Sequence, residues 1–276
     1  MTTVPDVTLN NGVRIPQLGF GVWQVDNSEV TDAVSTALET GYRSIDTAAA
    51  YGNEEGVGQA LRRSGLARGE VFVTSKLWNS DQGYDTTLQA FDASMARLGL
   101  EYLDLYLIHW PVPAHDHFVS SWKAMERLYA EGRVRAIGVS NFHPEHLRRI
   151  LDEGGIVPTV NQIELHPRLT QQELRSFNKE HDIATEAWSP LGQGQLLQDP
   201  TVAKLAEAYG KTPAQVILRW HLQTGNIAIP KSATPERIRA NFDVFDFELS
   251  SGDLEAISGL NENHRFGPDP DTMNAA

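Results

Sequence analysis

Short apolar segments with the composition of β-strands recur along the chain at intervals of about 30 residues, and helical patterns separate them. The strand ends at Asp46, Lys76, His109 and Ser140 show this interval. About 30 residues is the length of one strand–helix unit. Eight such units close into a parallel barrel more naturally than they form an open sheet. The sequence therefore predicts an α/β fold of the (β/α)8 TIM-barrel type.

The same interval defines eight candidate strands behind an N-terminal hairpin. The candidate strands are residues 18–20, 42–46, 71–76, 102–109, 134–140, 159–163, 183–188 and 227–230. Asn11-Gly12 joins two short β-branched segments, which predicts a hairpin at about residues 7–15. We expect a single barrel domain over residues 1–276, with the hairpin covering one end and a short polar tail at about residues 261–276.

Three helix starts are marked by capping residues. Thr212-Pro213 and Thr234-Pro235 each combine a cap with proline at the first helical position. Thr170, followed three residues later by Glu173, predicts a capping box. Barrel helices are therefore expected to begin at all three places.

Composition excludes several classes of function. The net charge of −13 opposes non-specific binding to nucleic acid or to anionic membranes. The chain has no cysteine, which excludes disulfides, thiolate metal sites and cysteine nucleophiles. It shows no signal-peptide pattern and no apolar run of the roughly 18 residues that a membrane span needs. We therefore expect a cytoplasmic protein, and any anionic ligand would need a local cluster of cations.

Four side chains with complementary chemistry lie at or just after neighbouring strand ends, namely Asp46, Tyr51, Lys76 and His109. A lysine ammonium lowers the pKa of a nearby tyrosine, a carboxylate keeps the lysine charged, and a histidine can orient a substrate oxygen. Taken singly, each residue has a structural alternative: a salt bridge, a packed tyrosine or a core histidine. Together they predict proton transfer to a developing alkoxide.

Three sets of motifs, which span about residues 5–262, resemble the aldo-keto reductase superfamily. They are GYRSIDTA at 41–48 with YGNE at 51–54, GVSNF at 138–142 with NQIELHP at 161–167, and IPKS at 229–232 with Arg237 and Asn241. Within this superfamily the chain looks most like bacterial 2,5-diketogluconate reductases and related actinobacterial enzymes. The resemblance implies reduction of aldehydes, ketones or α-dicarbonyls by NADPH, in a monomer whose partner is a small carbonyl substrate.

The resemblance also assigns roles to particular residues. It implies that Asp46, Tyr51, Lys76 and His109 are the catalytic tetrad, with Tyr51 as general acid. It implies that the nicotinamide and the pyrophosphate are held by Ser140, Asn141, Gln162, Trp188, Ser189 and Leu191. In this set the indole of Trp188 is expected to stack on the nicotinamide ring.

A cluster of cations lies near the end of the last strand, where Lys231 and Ser232 precede Arg237. A helix N-terminus at Thr234-Pro235 favours a phosphate, and an arginine can pair with it. By resemblance this is the site for the 2′-phosphate and adenine of NADP, which Asn241 completes. Relatives often have Glu or Gln just before that asparagine, where this chain has Ala240, whose side chain cannot make the adenine contact.

Three tryptophans follow strands at the same end of the predicted barrel, namely Trp23, Trp78 and Trp110. They can wall an apolar pocket beside the polar tetrad, and the resemblance places them with His109 in the carbonyl site. The short segment 112–119 and the short tail predict an open pocket. Such a pocket would accept small dicarbonyls, keto-sugar acids or aromatic aldehydes.

Two other classes of function compete with this interpretation. Asp46, His109, Glu164 and His166 offer nitrogen and oxygen ligands for a metal-dependent hydrolase or isomerase, although Lys76 would repel the cation. A non-catalytic regulator that binds a nicotinamide cofactor is the other alternative. Rossmann and P-loop sites are disfavoured, because no glycine-rich segment has the required spacing.

Overall fold

Eight parallel strands pair with one another in the order in which they occur along the chain. The computed structural model describes residues 4–275. The strands of this sheet are β3 (Phe20–Gly21), β4 (Ser44–Asp46), β5 (Phe72–Leu77), β6 (Leu103–Ile108), β7 (Val134–Ser140), β8 (Val160–Glu164), β9 (Ala184–Trp188) and β10 (Ile227–Ala228). Each strand is followed by one or two helices. The helices are α1 (Asn27–Thr40), α2 (Glu54–Arg63), α3 (Tyr84–Leu98), α4 (Phe118–Ala130), α5 (Pro144–Glu153), α6 (Gln172–Glu180), α7 (Pro200–Tyr209), α8 (Pro213–Gln223), α9 (Pro235–Phe242) and α10 (Ser251–Ser258).

The sheet closes on itself between its first and last strands. The backbone N–H of Ala228 donates to Gln17 O at 3.0 Å, and that of Gly19 donates to Ala228 O at 2.9 Å. A third bond joins Gly21 N–H to Pro230 O at 3.1 Å. The closed parallel sheet with helices around it confirms the predicted (β/α)8 barrel.

A two-stranded antiparallel hairpin covers the amino-terminal end of the barrel. It consists of β1 (Asp6–Thr8) and β2 (Arg14–Pro16), with Val7 opposite Ile15. Ile15 is buried against side chains at the starts of barrel strands, including Phe72 and Val160. The predicted hairpin is therefore confirmed, and the carboxyl end of the barrel is left for a site.

The main core lies between the strands and the surrounding helices. In α8, residues at helical spacing such as Val216, Ile217 and Trp220 are fully buried. This helix begins as predicted, because Thr212 accepts a hydrogen bond from Gln215 N–H and Pro213 follows it. No helix in residues 4–275 is long and apolar enough to cross a membrane.

The predicted capping box at Thr170 is wrong. Helix α6 begins two residues later, and its N-cap is Gln171 in the left-handed region with φ of 47°. Tertiary hydrogen bonds replace the cap: Thr170 N–H donates to Asn261 Oδ1 at 3.0 Å, and Gln171 Nε2 donates to Glu164 O at 2.6 Å. Thr234 precedes α9 as predicted, but its side chain makes no capping bond.

The C-terminal segment returns to the carboxyl end of the barrel after α10. The backbone N–H groups of Phe266 and Gly267 donate to the buried carboxylate of Glu164 at 2.7 and 3.1 Å. Near its end, Ala275 O accepts from Asn79 Nδ2 at 2.7 Å. These bonds hold the segment 264–275, called the tail below, across the barrel mouth.

Candidate active site

Lys76 and Asp46 form a buried ion pair at the carboxyl ends of β5 and β4. Lys76 Nζ lies 2.6 Å from Asp46 Oδ1, 2.9 Å from Thr47 O and 3.3 Å from Tyr51 Oη. A fully buried ammonium is costly unless all its protons are bonded, and these three acceptors satisfy them. Burial alone would favour the neutral amine, but Asp46 and Tyr51 outweigh it and raise the pKa of Lys76. The lysine therefore stays charged.

Tyr51 ends a short 3₁₀ turn just after β4, so its hydroxyl reaches back to Lys76. Burial raises the pKa of Tyr51 above its ordinary value, and Lys76 opposes this rise. The sequence predicted the lowering effect of Lys76 correctly, but it predicted the wrong net direction. The physical reason is desolvation, which the sequence does not show. At neutral pH the phenol is protonated and available as a donor.

His109 follows β6 and packs edge-on against two aromatic rings of the site. Its ring centroid lies 5.7 Å from that of Tyr51 and 5.3 Å from that of Trp78. Burial and the charge of Lys76 hold the pKa of His109 well below its usual value, so the imidazole is neutral. Its Nδ1 is enclosed without a partner in the described chain, and the residue lines the cavity of the site.

A second group of polar side chains lies on β7, β8 and β9. Trp188 Nε1 donates to Asn141 Oδ1 at 2.8 Å, and Asn141 Nδ2 donates to His109 O at 3.0 Å. Ser140 Oγ donates to Gln162 O at 2.8 Å. Asn141 has a left-handed φ of 63°, a conformation that often marks functional sites. The network fixes the face of the indole and presents amide groups beside it.

A cavity of about 780 Å³ begins at Ser189, directly after Trp188 in the sequence, and extends towards α9. Its lining includes the predicted cofactor residues Ser189, Leu191, Lys231, Ser232, Arg237 and Asn241, together with Ala240. In the described chain no carboxylate lies within 4.0 Å of the Lys231 or Arg237 cations, so both can meet an anion. The amides of Asn141 and Gln162 line the adjoining cavity, which shares Ser189 and Lys231 with this one. Amides in one cavity and cations in the next suit the nicotinamide and phosphate ends of NADPH.

The tetrad opens into an adjoining cavity of about 510 Å³. Its wall contains Trp23, Trp78, Trp110 and Trp188, as well as Phe266, Gly267 and Met273 of the tail. The sequence predicted an open pocket next to a short polar tail, and the structure adds that this tail lines the pocket. The tail folds back because Glu164 binds its backbone N–H groups, and it supplies part of the wall.

Sequence reasoning missed some of the residues in this region and left an alternative metal site open for others. The proposed metal ligands Glu164 and His166 bond to each other at 3.1 Å, and Glu164 also anchors the tail. Within residues 4–275 a different trio brings its ligand atoms within 4.8 Å of one another, namely His143, Asp269 and Asp271. Glu186 was missed, although a glutamate in the middle of a barrel strand was the signal that could have found it.

The amino-acid sequence that forms this barrel and its site matches a known protein family. The family model described as "Aldo/keto reductase family" matches residues 17–262. The chain belongs to the aldo/keto reductase family. It is 55% identical to glyoxal reductase of Bacillus subtilis and 54% identical to methylglyoxal reductase DkgA of Yersinia pestis. These matches cover 97% and 99% of this chain and 96% and 99% of the relatives.

A solved structure with the same fold contains the cofactor. The crystal structure of a Gox0644 mutant in complex with NADPH superposes with a TM-score of 0.95 at 48% identity. The match covers 98% of this chain and 99% of that one. The aldo/keto reductase described here is accordingly an NADPH-dependent oxidoreductase that reduces carbonyl groups.

Proposed function

We propose that this enzyme reduces small, uncharged α-oxo aldehydes to hydroxy compounds with Tyr51 as the general acid. The observation that supports this proposal most directly is the 3.3 Å contact between Lys76 Nζ and Tyr51 Oη, next to a cavity lined by indole rings. Glyoxal and methylglyoxal, for which the two relatives are named, belong to this substrate class.

Each member of the tetrad has a separate task in this proposal. NADPH, when bound, supplies the hydride. His109 Nε2 donates a hydrogen bond to the carbonyl oxygen and orients it, while the Tyr51 hydroxyl transfers its proton to the same oxygen as negative charge develops there. Lys76 stabilises the tyrosinate that remains, and Asp46 holds the ammonium in place. The surrounding indoles exclude water from the transfer.

The preference for uncharged substrates rests on the lining of the substrate cavity. Lys231 is the only lysine or arginine among the described residues that line it, and this residue also lines the cofactor cleft. A keto-sugar acid would bring a carboxylate into an aromatic wall without a cation of its own, which is unfavourable. In an NADPH-oxidation assay, methylglyoxal should therefore give a higher kcat/KM than a keto-sugar acid of similar reactivity.

We also propose that the enzyme is a cytoplasmic monomer, as its sequence predicts. This part of the proposal is tested by sedimentation of the purified protein and by cell fractionation. A dimer at assay concentrations would contradict it.

Tyr51→Phe tests the catalytic assignment. The substitution removes the proton donor and keeps the ring, so kcat for methylglyoxal should fall by about 10² to 10⁴-fold. NADPH affinity, measured by calorimetry, should stay within about threefold of the wild type. A change of that size is less than the 1.4 kcal/mol that corresponds to a tenfold change. If the variant kept a tenth or more of the wild-type rate with chemistry limiting, another group would have to be the acid.

A further inference from the structure

A buried carboxylate lies beside the tetrad and has no part in the mechanism above. Glu186 is on β9 and is 1% exposed. In the described chain no lysine, arginine or histidine nitrogen lies within 4.0 Å of it. An unpaired carboxylate in the barrel interior is costly, so its surroundings must contain a compensating interaction.

That interaction is a hydrogen bond to Gln162. The pairing of β8 with β9 places Gln162 opposite Glu186, and Gln162 Nε2 donates to Glu186 Oε2 at 2.8 Å. The same nitrogen donates to Asp46 Oδ2 at 2.8 Å from the other side of the barrel. Both protons of the amide nitrogen are thus taken by carboxylates, and a continuous chain links Glu186 to Lys76 and Tyr51.

The two carboxylates fix the orientation of the amide. If the Gln162 side chain were flipped, its carbonyl oxygen would face two carboxylate oxygens and both hydrogen bonds would be lost. In the observed orientation Oε1 accepts no hydrogen bond from the described chain. Gln162 lines the cavity of about 510 Å³ next to the tetrad. We propose that Glu186 is a positioning residue that holds Gln162 Oε1 towards the cleft as the acceptor for the carboxamide N–H of the nicotinamide. This rests on the proposed role of Gln162 in binding the cofactor.

The electrostatics give Glu186 a second, separable effect. Burial and the negative charge of Asp46 raise the pKa of Glu186 to about 7, against the opposing effects of Gln162 and Lys76. Above that pH the charged carboxylate helps to raise the pKa of Tyr51. Removing the charge therefore lowers the pKa of Tyr51. Because reduction needs the protonated phenol, the alkaline fall in kcat moves to lower pH.

The test compares NADPH with the 3-acetylpyridine analogue of NADPH, which has a methyl ketone in place of the carboxamide and cannot donate to Oε1. The wild type should bind NADPH more tightly than the analogue by a ratio of about two- to twelvefold, the value of one hydrogen bond. In Glu186→Leu, NADPH and the analogue should bind about equally tightly. Glu186→Gln keeps an acceptor for Gln162 and should retain the ratio, while the alkaline limb of its pH profile shifts downward. Glu186→Met replaces the leucine variant if that variant does not fold.

Gln162→Leu separates the hypothesis that Gln162 binds the carboxamide from the hypothesis that Glu186 positions Gln162. If the ratio collapses in Gln162→Leu but survives in Glu186→Leu, Gln162 binds the carboxamide and Glu186 does not position it. If the ratio survives in both variants, Gln162 does not bind the carboxamide and the inference fails with that assignment. A collapse in Glu186→Gln as well would also overturn it, because a neutral acceptor should suffice.

Discussion

At the scale of single residues, the charge of Lys76 is the feature on which the proposed proton transfer depends. Lys76→Met keeps most of the volume but removes the ammonium that opposes the raised pKa of Tyr51. The pKa of Tyr51 should rise further, so the alkaline fall in kcat should move to higher pH. The rate near neutral pH should fall by about 10²-fold or more, because the phenol becomes a weaker acid.

This substitution also leaves Asp46 buried without its partner, at a cost of about 3–5 kcal/mol. The double variant Lys76→Met with Asp46→Asn removes that isolated charge and serves as the control for misfolding. Circular dichroism of both variants shows whether they are folded. An unchanged pH–rate profile in a folded variant, with chemistry limiting, would show that Lys76 does not tune the acid.

The sequence could predict that Asp46, Tyr51, Lys76 and His109 lie together, because adjacent parallel strands end on one face of a barrel. It could not predict the net shift in the pKa of Tyr51, since desolvation depends on which atoms surround the hydroxyl. Glu186 was missed for a related reason. Its importance comes from a hydrogen bond to Gln162 and, through it, to Asp46 on the opposite side of the barrel. No local pattern encodes that contact.

At the scale of elements, the tail is held close to the indole of Trp188. A Cβ atom on Gly267 would lie 2.5 Å from Trp188 Cη2 and 3.1 Å from Glu164 Oε2. Gly267→Ala should therefore displace the tail, with a strain of about 1–3 kcal/mol. Amides of residues 264–273 should exchange faster with deuterium, and KM for methylglyoxal should rise.

Gly69→Ala is the matched control, because a Cβ there meets nothing within 4 Å. It should change neither the exchange rates nor KM. Equal exchange of the tail in Gly267→Ala and the wild type would mean that the tail accommodates the methyl group without moving.

The elements show where local signals hold and where they fail. Thr212 caps α8 as predicted, because the cap and the proline are adjacent in sequence and need no distant partner. Thr170 does not cap α6, because Asn261 and Glu164 bind the same segment from elsewhere in the fold. The position of the tail could not be predicted from the sequence either, since its anchor is a carboxylate about a hundred residues earlier in the chain.

At the scale of the whole molecule, an acidic protein with a net charge of −13 presents a basic cleft at Lys231 and Arg237. Arg237→Ala should weaken NADPH binding by about 1.5–3 kcal/mol and leave NADH nearly unchanged, because only NADPH has a 2′-phosphate. In the wild type, added salt should reduce the preference for NADPH, since exposed ion pairs are screened.

The same salt series should have less effect on the Arg237→Ala variant, in which Lys231 is the one cation of the pair that remains to be screened. Calorimetric titrations of both proteins with both cofactors at two salt concentrations measure this. Equal losses for NADPH and NADH in the variant would show that Arg237 does not bind the phosphate.

The distribution of tryptophan gives the molecule an optical reporter of its own state. Four of its six indoles line the substrate cavity, whereas Trp122 and Trp220 are fully buried in the core. Indole emission overlaps the absorption of a dihydronicotinamide, so cofactor bound against Trp188 should quench most of the site fluorescence by energy transfer. Each turnover should therefore be visible in the unlabelled protein as a cycle of quenching and recovery, which makes single steps accessible to stopped-flow measurement.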